Sequence, residues 1–172
     1  MVDGRVYSLR IQMWDQDEEY AEARYESFKV GPRDQDFPLT LDGFSSTGPH
    51  RILDSFAVSS NGSQFSAQYY DRDQESTKAC TSIWKTSGWI YHCSADNGFD
   101  SNLFGSNLQA KQVDYGKGIF WRTFRGTHTS LLKVTMSIKA HDDGKNFNFL
   151  RVANMTPLGG LTFTELIFSN RV

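Results

Sequence analysis

Cys80 and Cys93 are the two cysteines of the chain, and between them lie the aromatic and turn-forming residues Trp84, Ser87, Gly88, Trp89 and Tyr91. A pair so placed suits a disulfide that closes a loop. At 172 residues, with 38 % hydrophobic and 14 % aromatic content, the chain has the length of a single domain and enough apolar material for one modest core. A stapled loop region inside one core is the frame into which the flanking segments must fit.

Those flanks read mainly as strands. Residues 5 to 13 alternate apolar and polar side chains, the period of a half-buried strand. After the acidic turn Asp15 to Glu19, the segment Tyr20 to Val30 reads two ways: Glu and Ala favour helix, whereas Tyr25, Phe28 and Val30 suit a strand, the reading favoured here. Gly31 to Asp34 is a turn, Phe37 to Leu41 a short alternating run, and Asp42-Gly43 is expected to break it. From Phe44 to Ser66 loop is expected to dominate, with a short strand or coil around Ile52 to Val58. Ala95 to Asn102 is turn chemistry without periodicity. Gly118 to Phe124 and Leu131 to Ile138 are expected to be two closing strands around a turn at Gly126. With no long amphipathic helices to make crossovers, the sheet is expected to be antiparallel. No internal repeat or low-complexity tract is visible.

Charge and motifs exclude several classes of function. The 18 basic and 20 acidic residues give a net charge of −2 and are spread along the chain, so no basic stripe invites nucleic acid. The apolar runs fall far short of the roughly 20 residues of a membrane span. Met1 to Arg5 carry charge where a secretory leader would be apolar. Against that stand the cysteine pair and two sequons, at Asn61 and Asn154, which are usable only in the secretory pathway. Together these point to an extracellular protein whose beginning lies outside this sequence. His50, His92, His128 and His141 lack the short spacings of a zinc site, and no nucleophile elbow, phosphate loop or dinucleotide fingerprint occurs. An enzyme is not expected.

One set of segments carries a family resemblance. In order they are Leu9-Arg10-Ile11, Tyr25 to Gly31, Tyr70-Asp71-Arg72-Asp73, Ser87-Gly88-Trp89 inside the cysteine pair, Ser101-Asn102-Leu103, Gly118 to Trp121, and Met136 to Lys139. Over residues 5 to 139 the chain resembles the fibrinogen-related domain of fibrinogen chains, ficolins, tachylectins, angiopoietins and tenascins. The resemblance implies an α+β fold, a twisted antiparallel sheet with a loop-rich calcium and ligand subdomain. It implies a partial fibrinogen C-terminal-like domain over 1–139 and a C-terminal extension of unknown role over 140–172. The family's N-terminal third would lie before Met1, and oligomerisation is expected through it.

Asp71, Asp73 and Glu75 place three carboxylates at alternating positions, a spacing that lets oxygens converge on a hard cation. The bland reading is a solvated acidic loop; the resemblance implies calcium. Aligned from its first acid, the loop is one residue shorter than the family's, with Glu75 in place of the third Asp.

In the ficolin and tachylectin branches, a cis bond precedes the second cysteine and the amides after it meet an acetyl group. The corresponding bond here is His92-Cys93. Trp84 matches an aromatic pocket wall, while Ser94, Thr127 and Thr129 stand where the family has His and Tyr. Hydroxyls there make a wetter, wider pocket. Trp89, Trp121 and Phe124 are expected in the core. The ligand site expected from the resemblance is therefore Trp84, His92, Cys93, Ser94, Thr127 and Thr129. The implied role is calcium-dependent, lectin-like binding of glycans or acetylated groups in innate-type recognition; the other reading is docking of an extracellular protein.

Overall fold

Leu9, Ile11 and Met13 alternate with Ser8, Arg10 and Gln12, and that period becomes strand β1 (Tyr7–Trp14), with the three apolar side chains fully buried. The computed structural model describes residues 6–94, 99–108, 110–141, 150–155 and 161–162. β1 lies inside an antiparallel sheet, between β2 (Tyr20–Val30) and β8 (Lys133–Ala140). β3 (Leu39–Thr47) extends the sheet beyond β2; β9 (Leu150–Met155) and β10 (Leu161–Thr162) extend it beyond β8. The order is β10-β9-β8-β1-β2-β3. Leu9, Ile11 and Met13 face Ile138, Met136 and Val134 across the strand pair, so one face of the sheet carries the core.

Tyr20 to Val30 is a strand, as favoured, and the three-residue separation of its buried Tyr25 and Phe28 has a physical cause. Leu9 pairs with Tyr25 but Tyr7 with Phe28, so β2 carries one extra residue there. A bulge of this kind shifts the side-chain phase by one, which turns Tyr25 and Phe28, three positions apart, to the same buried face.

Three expectations are corrected. Asp42-Gly43 does not end the strand, because β3 runs through it to Thr47. Gly43 has φ +70°, and a Cβ there would come within 2.7 Å of Glu26 Cβ, so the missing side chain is what lets the two strands stay paired. The stretch around Ile52 to Val58 contains no strand but leads into the short helix α1 (Ala57–Ser60). Asp54 starts it: Oδ1 accepts the backbone N–H groups of Phe56 at 3.0 Å and Ala57 at 2.9 Å. Finally, the segments flanking Gly126 do not form one hairpin. β7 (Phe120–Trp121) pairs with β6 (Ser101–Asn102), whereas β8 joins the main sheet. Arg125 and Gly126, both at positive φ, turn the chain between them.

The other elements lie in the loop-rich flank. β4 (Phe65–Ser66) pairs with β5 (Gly88–Trp89), and α2 (Cys80–Trp84) carries the first cysteine. Ile119, Trp121, Phe124 and Leu131 pack into the main core beneath the sheet, as does Trp89 from a half-buried position. A second small core gathers Cys80, Ile90, Cys93, Phe99 and Phe120, with Trp84 and Tyr115 against it.

Candidate recognition site

Cys80 and Cys93 form the disulfide, with Cα atoms 5.6 Å apart and both residues buried. Trp84 lies one helical turn after Cys80 in α2 and so projects on the same side. Its indole N–H donates to the Cys93 carbonyl at 3.1 Å. The ring stacks on Phe99 and meets the edge of Tyr115, with centroids 5.8 Å apart in the second pair. Gly116 follows Tyr115 at φ +75°, and a Cβ there would come to 3.0 Å from the indole; only glycine lets the backbone lie against that ring.

Through this contact the loop at Thr127 joins the site. The Gly116 N–H donates to the Thr127 carbonyl and the Val113 N–H to the His128 carbonyl. Tyr115 and His128 rings lie 5.8 Å apart, and together with Gln112, Val113 and Asp114 they line an open cleft of about 510 Å³. Lys117 pairs with Asp114 at 2.8 Å and holds its carboxyl below the ordinary range.

The structure therefore brings Trp84, Cys93 and Thr127 around Tyr115. The Thr129 hydroxyl donates instead to the Arg125 carbonyl at 2.8 Å and serves the turn. His92 packs edge-on against Tyr91. The His92-Cys93 bond is trans rather than cis, as are all peptide bonds among the described residues; trans is the lower state by about 3–4 kcal/mol at a non-proline bond. Sequence reasoning missed Tyr115, Gln112, Asp114 and the ring of His128. The local signal was Tyr115-Gly116, an aromatic followed by the residue that permits close approach.

Two polar atoms flank Cys93 without a hydrogen-bond partner among the described residues: His92 Nδ1 and Ser94 Oγ, both shielded from solvent. Buried polar atoms are nearly always paired, so such orphans call for a partner beyond the described residues.

The acidic loop is stitched to the same region. Asp73 Oδ2 accepts the Cys80 N–H and Oδ1 the Glu75 N–H, each at 2.9 Å, and the Gln74 N–H donates to the Tyr91 carbonyl. Burial raises the Asp73 carboxyl above its ordinary value, and neighbouring Asp71 adds to this against the lowering effect of the two amides. Asp71 and Asp73 thus set two carboxylates beside each other, hard oxygen donors of the type that calcium takes. Glu75 is not gathered with them into a three-acid cluster; its Oε1 accepts from the Thr77 hydroxyl at 3.4 Å.

Of the two sequon asparagines, Asn61 is exposed, but its side chain works on the sheet edge: Oδ1 accepts the Leu41 N–H at 2.9 Å and Nδ2 donates to the Leu41 carbonyl at 3.1 Å. Asn154 lies in β9 opposite Thr135, and Thr156 of its sequon falls outside the described residues.

A sheet that presents disulfide-pinned loops and an open cleft is the build of a binding module. Residues 2–141 match the family described as fibrinogen beta and gamma chains, C-terminal globular domain. Fibrinogen C domain-containing protein 1 of Macaca fascicularis is 29% identical over 138 residues, covering 77% of this chain and 30% of its own. Techylectin-5A of Tachypleus tridentatus is 30% identical over 139 residues, covering 81% of this chain and 44% of its own. Among solved structures, the fibrinogen-like globe domain of human ANGPTL2 superposes with a TM-score of 0.68 at 30% identity, covering 78% of this chain and 58% of that one. The chain belongs to the fibrinogen C-terminal domain family, whose members are non-enzymatic binding modules, and it spans less than half the length of the two curated relatives. No helix among the described residues is long and apolar enough to cross a membrane.

Proposed function

We propose that the chain is an extracellular recognition module that binds a glycan or acetylated group in a calcium-dependent, lectin-like manner. The observation that carries this reading is the pair of orphaned, shielded polar atoms, His92 Nδ1 and Ser94 Oγ, on either side of Cys93. An acetamido or hydroxyl group offers the donors and acceptors such atoms lack. The cleft between Tyr115 and His128 supplies an aromatic wall beside Trp84, with Gln112 and Asp114 as polar lining. Calcium held by Asp71 and Asp73 would fix the loop whose amides lead into Cys80, and through the disulfide the segment of Cys93. Techylectin-5A is named as a lectin, which agrees with this reading.

Retention on immobilised N-acetylglucosamine in calcium tests it. Elution is expected with chelator and with the free sugar, and a Tyr115→Ala variant is expected to pass through unretained. A protein that ignores the matrix under every condition overturns the glycan reading in favour of docking to an extracellular protein, for which exposed Tyr69 and Tyr91 are suited contacts.

A further inference from the structure

Arg72 stands between Asp71 and Asp73 in the sequence yet pairs with neither carboxylate. Its guanidinium turns back to the connection between β2 and β3, where Nε donates to Asp36 Oδ2 at 2.6 Å. The same group lies over the Tyr70 ring, 4.3 Å from the centroid, and NH1 donates to the Asp71 backbone carbonyl at 3.0 Å. The Tyr70 hydroxyl donates to the other Asp36 oxygen, Oδ1. Asp36 itself is fixed: it ends the short turn Arg33–Gln35 with φ 61°, and its carbonyl accepts the Phe65 N–H at 2.9 Å. The Arg72 main chain is fixed too, through its N–H to Ser66 Oγ at 2.9 Å. Asp36 thus captures the two side chains that lead into the acidic loop.

This arrangement runs against the local electrostatics. A guanidinium is always charged and matches a carboxylate fork well, so an arginine between two aspartates is a ready counter-ion for either of them. Here Asp71 and Asp73 face each other with no ion pair among the described residues, while the guanidinium between them in sequence is held elsewhere.

We propose that Asp36 is a positioning residue for the calcium loop: by capturing Arg72 and Tyr70, it keeps the chain's own cation away from Asp71 and Asp73 and leaves their oxygens to a divalent cation. The proposal rests on the calcium reading above. Asp36 acts on the site only through Arg72, which gives it a signature that a merely structural tether lacks. Freed from Asp36, Arg72 competes with calcium; removed as well, it cannot.

The test compares the parent, Asp36→Asn and the double variant Asp36→Asn/Arg72→Gln by calcium titration calorimetry after chelator stripping. It also follows the Arg72 Nε–H resonance in the calcium-free state. Asn keeps the size of Asp36, so all three are expected to fold, as circular dichroism would verify. Asp36→Asn is expected to bind calcium about threefold to fivefold more weakly, the scale of a surface ion pair, with a displaced Arg72 resonance. The double variant is expected to return to the parental affinity or exceed it. Unchanged affinity in Asp36→Asn, or a double variant as weak as the single one, overturns the positioning role while leaving the calcium reading intact. A parent that binds no calcium overturns both.

Discussion

The Trp84 indole N–H donates to the Cys93 carbonyl at 3.1 Å, which ties the end of α2 to the far side of the disulfide loop beside the two orphaned polar atoms. Trp84→Phe keeps a ring against Phe99 and Tyr115 but deletes this bond. Unfolding in urea is expected to show a loss of about 1 kcal/mol, the net worth of one such hydrogen bond. Trp89→Phe is the control, since Trp89 makes an equivalent bond to the Phe37 carbonyl at 2.8 Å and its ring meets Phe65, whereas that of Trp84 meets the cleft residue Tyr115. Equal stability losses are expected, with retention on the acetylated matrix weakened only by Trp84→Phe.

The disulfide closes a loop of sequence separation 13. Restricting the unfolded chain by a loop of that length stabilises the native state by about 3 kcal/mol. Reduction, or Cys80→Ala with Cys93→Ala, is expected to lower the free energy of unfolding in urea by that amount, with a correspondingly lower midpoint. It is also expected to weaken calcium binding, because Asp73 is bonded to the Cys80 N–H. A double alanine variant with parental calcium affinity would show that the loop is ordered without the cross-link.

The sheet was legible where a period of two met a buried face: β1 and β8 follow directly from Leu9-Ile11-Met13 and Val134-Met136-Ile138. The β2 reading was ambiguous because its Glu and Ala residues favour helix when taken alone, and the bulge that sets the phase of Phe28 is a pairing property of two strands. Gly43 looked like a breaker because its reason, the side chain of Glu26 on the neighbouring strand, is 17 positions away. In the site, the family resemblance led to Trp84 and Cys93 by their places relative to the cysteines and to Thr127 by its place after Gly126. Tyr115 and His128 were missed because a cleft forms where separate loops meet. Arg72 showed its charge in the sequence but not its partner, since Asp36 lies 36 residues away.

Tyr25 is almost fully buried and its hydroxyl donates to Asp54 Oδ1 at 2.6 Å, the oxygen that also starts α1. Burial, and then the Asp54 carboxylate, push the phenol well above its ordinary value. Because the folded form binds this proton more tightly, its contribution is complete below the unfolded value near pH 10 and is lost as pH rises beyond it. In an ultraviolet titration Tyr25 is expected to ionise only as the protein unfolds. Tyr25→Phe is expected to cost about 1–2 kcal/mol at neutral pH and to lessen the alkaline loss of stability. An alkaline midpoint unchanged by Tyr25→Phe would show that other groups govern it.

Glu22 is the hub of the opposite face of the sheet. Arg10 Nε at 2.8 Å, Arg24 Nε at 2.6 Å, the Thr47 hydroxyl at 2.8 Å and the Tyr20 hydroxyl all donate to its nearly buried carboxylate. Burial alone would raise its pKa, but these donors outweigh it and hold the group at about 2 instead of 4.5. A depressed value means that the stabilisation is complete above the unfolded value and is lost as pH falls through 4.5 toward 2. The difference corresponds to roughly 3 kcal/mol. Glu22→Gln keeps the shape and removes the charge, leaving Arg10 and Arg24 without their shared anion. The variant is expected to be less stable by about that amount at pH 7 and to show a flatter profile between pH 5 and 2. Parallel profiles for parent and variant, in urea unfolding across that range, would place the acid sensitivity elsewhere.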